Sequence, residues 1–470
     1  MTKERFREIL TPEIRDLAAR FAADGHDLYL VGGSVRDVLL GRPVSDLDFT
    51  TRARPGDIER IGAEWASSLF LAGKDFGTVG LVHEGRVHEI TTFRSEVYRG
   101  DSRKPVVTFS DHLVEDLSRR DFTVNAMALS VPTDPRTDPV MEDPFGGLPD
   151  LMEGILRTPQ PPEVLFSDDP LRMLRLFRFM STLGFVPERE VLDAVASMAD
   201  RLDIISAERI RTEFDKLIVG AHVVVALEAL IESGLADHFI PEIPALAVEQ
   251  DPVHRHKDVL AHTIAVVGKT DAGREEPRLE VRLAALFHDI GKPATREYSG
   301  NGVSFHHHEV VGARMARKRM KAMRYPNHVV QDVGNLVFLH MRPHTYKMGW
   351  TDAAVRRYVR DAGPLLDQLN ELVRCDVTTR NEQRARAISR RIDELEERIV
   401  SLRAQEELDA LRPPIDGNQV MDYLGLEPSR EVGRIMDMLL EKRIEDGPYT
   451  EEEAYAMLDA WAAASSDTRG

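Results

Sequence analysis

DLYLVGGSVRDVLLGRPVSDLDFT, residues 27–50, sets the reading of the whole chain. Leu28 to Val31 form a short apolar run bounded by glycines, the pattern of a buried strand. Gly32-Gly33 supplies a turn, and Val35 to Leu40 continue at helical spacing. A second β-run, SDLDFT, puts Asp46, Asp48 and Thr50 on one face and sends Leu47 and Phe49 to the other. Backbone N–H groups at a helix start reached through glycines can cradle phosphate oxygens, and Arg36, one turn in, adds charge-assisted bonds. Two neighbouring carboxylates suit Mg²⁺, which takes hard oxygen ligands and leaves room for substrate phosphates. Taken alone, Asp-x-Asp is equally a polar strand edge and Gly-Gly a plain tight turn.

Further β-runs follow outward from this stretch: TVGLVHEG, VHEITTF and FTVNAMAL. The second carries Glu89, a candidate third carboxylate for the same metal. Arg119-Arg120 precedes Asp121 and Asn125, and Arg120 can neutralise triphosphate charge as it develops; a surface ion pair is the plainer alternative. Residues 28–130 thus read as an α/β head. From about Asp169 the periodic segments LRMLRLFRFM, RIRTEFDKLI and VRLAALFHDI are helical. Asp169 suits an N-cap with Pro170 opening the helix, and Arg172, Arg175 and Arg178 then lie along one stripe. Pro and polar residues near 245–255 mark a boundary. A charged helix from about Arg384 to Leu411 stops at Pro413-Pro414. The expected division is 1–150 head, 151–245 helical neck, 250–383 histidine-rich module and 384–470 helical tail.

The chain has 470 residues, 42% hydrophobic and 30% charged, enough for several cores. Its net charge of −18 argues against indiscriminate coating of nucleic acid, so an RNA partner must meet a local basic face. The arginines of 380–403 are candidates for that face, with a solvated helix of ion pairs as the alternative. MTKERFREILTPEIRDLAARF reads as a charged amphipathic helix, not as a targeting segment. The apolar stretch Val223 to Ile231 is too short for a bilayer and is interrupted by Glu228. One cysteine, Cys375, excludes an internal disulfide and fits a reducing cytosol, hence a cytoplasmic protein with no membrane partner.

His262, His288-Asp289 in AALFHDIGK, His308, His340 and Asp376 resemble the HD superfamily of metal-dependent phosphohydrolases. Imidazole and carboxylate ligands suit a transition-metal or mixed divalent site, and six of them can hold two ions. The run His306-His307-His308 leaves open which imidazole takes part.

GGSVRDVLLGRPVSDLDF, FGT, RRDFTVNAMA, DPFGGLPDL and DDPLRMLRLFRF, in this order, resemble the bacterial class II CCA-adding tRNA nucleotidyltransferases of the poly(A) polymerase / tRNA nucleotidyltransferase family. The motifs cover about residues 28–180, and DGNQVMDYLGL and EVGRI extend a weaker likeness to near 440. The resemblance implies an α+β fold: a polymerase-β-like head with a mixed sheet, then an all-α neck, an HD domain and a helical tail. It implies catalytic Mg²⁺ on Asp46 and Asp48, and triphosphate contacts from Gly33, Arg36 and Arg120. The nucleotide selectors fall on Asp169, Arg172, Arg175 and Arg178, and the partners are the tRNA acceptor end, ATP and CTP, with no protein partner. Asp168-Asp169 departs from the family's usual Glu-Asp. The stretch 94–107 would be the loop that helps switch from C to A addition, an ordinary surface loop being the alternative. Base chemistry agrees: cytosine and adenine both pair an amino donor with a ring-nitrogen acceptor, which one carboxylate and one guanidinium can read, whereas uracil and guanine reverse the pattern. A poly(A) polymerase, a CC- or A-adding enzyme, and an HD phosphohydrolase with a nucleotide-sensing head are the alternatives. The intact Asp46/Asp48 pair favours a nucleotidyltransferase over the phosphohydrolase, and the FGT pattern in LAGKDFGTVGLV with the absence of a GRRF-type motif favours CCA addition over a poly(A) polymerase.

Overall fold

A computed structural model describes residues 2–44, 47–97, 106–247, 258–270, 277–299, 302–345, 350–377, 382–406 and 411–467. Its contacts divide the chain into two compact units, Met1–Pro244 and Ala245–Gly470.

The first unit opens with two helices, α1 (Thr2–Ile9) and α2 (Pro12–Ala23), where one amphipathic helix was expected. Pro12 explains the break: its ring sits well in a first turn but cannot continue a helix already begun. Next come β1 (Leu28–Val31), α3 (Gly33–Leu40), β2 (Leu47–Thr51), α4 (Pro55–Ala63), β3 (Ser68–Phe70), β4 (Thr78–His83) and β5 (Arg86–Thr92). A separate hairpin, β6 (Arg94–Val97) with β7 (Val106–Phe109), leads to α5 (Leu113–Ser118), β8 (Ala128–Ser130) and β9 (Met141–Glu142). The seven-stranded sheet runs β3-β4-β5-β2-β1-β8-β9 and is mixed: β2 and β5 are parallel, and the other neighbours antiparallel. Leu30 pairs with Phe49 at its centre, both fully buried, which fixes the register and turns the acidic face of β2 away from the core.

FTVNAMAL reads as one strand but is not: Thr123–Asn125 is a 3₁₀ turn, and β8 begins only at Ala128. The buried Asp121 carboxylate accepts the Phe122 N–H and the Asn125 side-chain amide, each at 2.9 Å, so a local turn captures groups that a ladder would have used. After the sheet, helices α6 (Gly147–Glu153), α7 (Pro162–Asp168), α8 (Leu171–Leu183), α9 (Arg189–Met198), α10 (Ala207–Ile218) and α11 (Val223–Glu232) complete the unit.

Among its described residues the second unit is helical except for a hairpin, Arg296–Ser299 with Gly302–Phe305, that the periodicity did not announce. Its long charged helix spans Glu382–Gln405. Behind it the tail has its own small core of Ile415, Val420, Val432, Ile435, Leu439, Ala454 and Leu458. The helix Gly417–Leu424 opens with a reciprocal cap between Asp416 and Gln419. This α+β head followed by largely helical modules agrees with the expected fold class, apart from the short hairpin.

Candidate nucleotide cleft and histidine–aspartate cluster

Asp48 on β2 is the register partner of Glu89 on β5, so the two carboxylates stand side by side on one face of a parallel pair. Asp48 is half-buried and Glu89 exposed. Asp46 lies outside the described residues, as do 98–105 of the loop assigned a switching role. Thr50, on the same face, is buried; its hydroxyl donates to the Thr91 carbonyl at 3.0 Å and to Asp116 at 3.3 Å. The Asp48 N–H donates to the Ser34 hydroxyl at 3.2 Å, tying the acidic strand to the first turn of α3. Gly32 needs to be glycine twice over: its φ is +68°, and a Cβ would stand 2.9 Å from Nη1 of Arg120.

Asp116, which the sequence reading passed over, organises this corner. It is fully buried and takes Arg119 at 2.8 Å and Arg120 at 3.1 Å. Burial alone would raise its pKa, but the two guanidiniums outweigh that and hold it below the usual carboxylate range. Among the described residues the donors at Asp48 and Glu89 are carboxylates, with arginine behind them and no imidazole or thiol, which fits a hard divalent cation carrying phosphate.

Beside this face opens a cleft of about 680 Å³ that Gly32, Gly33, Arg36, Asp48, Arg120, Asp169, Arg172, Arg175 and Arg178 line together. A chain of polar contacts crosses it. Arg36 donates to the Asn125 side-chain oxygen at 2.6 Å, Asn125 to Asp121 at 2.9 Å, and Arg175 to Asp121 through Nε at 2.8 Å and Nη2 at 2.5 Å. Arg175 continues to Glu213 at 3.2 Å, and Glu213 takes Arg178 at 3.1 Å. Phe179 presents its ring to three guanidiniums, with Arg178 at 4.0 Å, Arg36 at 5.2 Å and Arg175 at 5.5 Å from the centroid. Burial, and then the like charge of Arg175, lowers Arg178 to about 10. Burial would raise Asp121, yet Arg175 and Asn125 pull it far below its ordinary value.

Asp169 and Arg172 depart in detail from the expected helix start. Asp169 ends α7 in extended backbone and Pro170 takes the cap position, yet the Asp169 carboxylate still accepts the Leu171 N–H at 3.2 Å. Its other oxygen meets Arg209 at 2.6 Å. Arg172 is buried and donates to the carbonyls of Leu165 at 3.0 Å and Arg119 at 2.7 Å. Arg209 and Glu213 escaped the sequence reading although both sit in RIRTEF, four residues apart and thus on one helical face. Phe179 escaped because an aromatic on an apolar stripe reads as core.

In the second unit the six expected groups converge. The Nε2 atoms of His262 and His288 face each other at 3.2 Å, those of His308 and His340 at 3.4 Å. Asp376 stands 3.0 Å from His262, and Asp289 3.1 Å from His288 and 3.4 Å from His308. The Nδ1 atoms of His288, His308 and His340 contact the carbonyls of Ala285, Phe305 and Val337 at 2.6–2.9 Å. An Nδ1–H spent on a carbonyl leaves Nε2 as a lone-pair donor, so opposed Nε2 atoms lack a shared partner unless a proton or a metal lies between them. His262, His288 and Asp376 form one group able to hold an ion, and Asp289, His308 and His340 a second. Burial drives His340 down to about 3; it opposes charge on His288 too, but Asp289 and Asp376 hold that ring up at about 9. His306 and His307 are exposed, which singles out His308 from the run.

An acidic strand opening on a glycine turn and an arginine-lined cleft, with a separate histidine–aspartate module, defines a nucleotidyltransferase carrying an HD domain. Residues 28–157 match a Poly A polymerase head domain, 184–246 a probable RNA and SrmB-binding site of polymerase A, and 259–402 an HD domain. A CCA-adding enzyme from Anoxybacillus flavithermus (strain DSM 21510 / WK1) is 31% identical over 371 residues, 78% of each chain. One from Bacillus velezensis (strain DSM 23117 / BGSC 10A6 / LMG 26770 / FZB42) is 40% identical over 224 residues, 47% of this chain and 53% of that one. The matched region thus spans about half the length of this last relative. The crystal structure of Bacillus stearothermophilus CCA-adding enzyme in complex with CTP superposes with a TM-score of 0.69 at 27% identity, covering 97% of this chain and 98% of that one. The chain belongs to the family of CCA-adding enzymes.

Proposed function

We propose that this protein adds cytidine, cytidine and adenosine to the 3′ end of tRNA from CTP and ATP, without a template, releasing pyrophosphate. One observation carries the reading: a single cleft joins Asp48, the glycine turn and Arg120 to Asp169, Arg172, Arg175 and Arg178. Asp46, Asp48 and Glu89 would hold Mg²⁺, which when bound polarises the α-phosphate and steadies both the attacking and the leaving oxygen. Gly33, Arg36 and Arg120 take the triphosphate and offset the charge that grows on pyrophosphate as the RNA 3′-hydroxyl attacks in line. Asp169 and Arg172 read the pairing edge shared by cytosine and adenine, while the Asp121 and Glu213 carboxylates hold Arg175 and Arg178 in place beside them. The histidine–aspartate cluster would bind a second kind of divalent metal and is not needed for this transfer. Among the described residues no helix is long and apolar enough to cross a membrane, and we place the activity in the cytoplasm with its tRNA substrate.

The test incubates the protein with tRNA lacking its 3′ end, Mg²⁺, and labelled CTP or ATP singly and together. Addition that stops after three nucleotides supports the reading. A long adenosine tail, or no incorporation, overturns it.

A further inference from the structure

Among the described helices, His308–Ala322 carries the largest excess of basic over acidic residues. Overall there are 79 Asp and Glu against 61 Lys and Arg, yet residues 310–331 hold six Lys and Arg and no acid. Glu309 and Asp332 bracket that segment. Gly312, Ala313, Ala316 and Met320 bury the inner face of the helix against the module. Arg314, Lys318 and Lys321, at i, i+4 and i+7, share the outer face, are exposed, and make no ion pair among the described residues. The row is about 10 Å long at 1.5 Å per residue. Just past the helix, Arg324 accepts a left-handed backbone, φ +60°, where glycine is favoured, and so places a further exposed cation at its end. The helix that follows, Asn327–Leu339, faces this end with His328 and Gln331 exposed and only Asp332 as an acid, half-buried.

The arginine-rich helix Glu382–Gln405 behaves differently. Its Asp393 and Glu396 pair with Arg374, and its Arg398 pairs with Asp352. Asp393, Glu396 and Arg398 are thus answered within the protein; among the described residues the outer row of the 308–322 helix makes no ion pair.

We infer that the face formed by Arg314, Lys318 and Lys321 is a docking surface for the phosphate backbone of RNA. An acidic protein repels a polyanion everywhere except where basic charge is concentrated, so such a row gives RNA one place to rest. The face offers side-chain cations with no exposed apolar side chain on it larger than Val310, which suits a charged backbone rather than a lipid surface. The choice of RNA as occupant rests on the proposed activity on tRNA.

The experiment measures binding of tRNA lacking its 3′ end across a salt series, for the full chain and for a combined Arg314→Gln, Lys318→Gln, Lys321→Gln variant. Glutamine keeps helix propensity and removes only charge. If the three cations meet phosphates, the slope of log K against log salt falls by about 2 to 3, since each contact contributes about 0.7 to 0.9. Affinity at about 100 mM salt then drops at least about tenfold, and KM for CTP stays unchanged. A control removing three exposed charges elsewhere, Arg60→Gln, Arg86→Gln and Arg136→Gln, should leave the slope near the parent value. An unchanged slope in the first variant, or equal losses in both, overturns the assignment. If the parent binds tRNA but extends nothing, the proposed function fails while this surface is still tested by its slope. If the parent extends tRNA and the variant's slope is unchanged, the surface fails and the function stands.

Discussion

The cleft of the first unit and the cluster of the second both gather charged groups, but they balance them in opposite ways. In the cleft most cations have an anion within reach, Arg120 on Asp116, Arg175 on Asp121 and Glu213, Arg209 on Asp169, and the whole opens to solvent. In the cluster imidazole nitrogen also stands against imidazole nitrogen, at 3.2 and 3.4 Å, beside imidazole–carboxylate contacts at 3.0 and 3.1 Å, with His288, Asp289, His308 and His340 buried. The first arrangement persists without a ligand and can trade a partner for a phosphate or a base. The second leaves lone pairs opposed until a cation joins them. Charge distribution therefore separates the cleft proposed to handle substrate from a cluster able to hold metal, although both use carboxylates.

The largest effect should come from separating the two. Asp48→Ala removes a carboxylate proposed to hold the metal, and the several kcal/mol that a metal supplies correspond to a loss of about 10³ or more in nucleotide addition. His288→Ala should leave addition at the parent rate while the metal content of the second unit, read by elemental analysis, falls. Comparable losses of addition from both variants would break the comparison.

Next in size is Asp121→Asn. The substitution keeps the shape but leaves Arg175 facing a neutral group in a buried setting, a loss of about 3 kcal/mol read as a lower melting temperature. Because the folded-state pKa of Asp121 lies below the unfolded value of about 3.9, its stabilisation is present above that value and is lost as pH falls through the folded pKa. The gap between parent and variant should therefore be full at neutral pH and shrink below about pH 4. A gap that is independent of pH would mean that Asn125 and packing, not the Arg175 pair, hold this residue.

Much of this was legible because sequence and chemistry coincide locally. Gly32-Gly33 beside an apolar run could only be a turn into a helix, and Asp48 had to face away from Leu47 and Phe49 on any strand. The convergence of His262, His288, Asp289, His308, His340 and Asp376 followed from a resemblance, since helix ends more than 100 residues apart carry no periodic trace of their meeting. What stayed hidden was the support. Glu213 is a buried acid whose partners Arg175 and Arg178 lie on another helix, and Asp116, although its partners are only three and four residues on, is buried by elements distant in sequence, so a one-dimensional pattern does not distinguish either from a solvated carboxylate. FTVNAMAL was misread because a side chain, Asp121, competes with the ladder for backbone groups, and propensity does not register that competition.

The smallest effect sharpens the comparison within the cleft itself. Arg209 meets Asp169 at 2.6 Å, but its side chain is 48% exposed, unlike the buried Arg175 pair. An exposed bridge is worth about 0.2–1 kcal/mol, so Arg209→Ala should barely move the melting temperature. A carboxylate oxygen has two lone pairs, so the oxygen that takes Arg209 can also accept a base amino group, and Arg209 acts by holding that oxygen in position. The expected result is a rise in KM for CTP of less than about fivefold, with a matching loss of discrimination against UTP. A loss of discrimination nearer a hundredfold would give Arg209 the donor role assigned to Arg172. That outcome has a physical basis already visible, because Arg172 commits two of its N–H groups to the carbonyls of Leu165 and Arg119. Comparing kcat/KM for CTP and UTP in Arg209→Ala and Arg172→Ala decides which guanidinium reads the base.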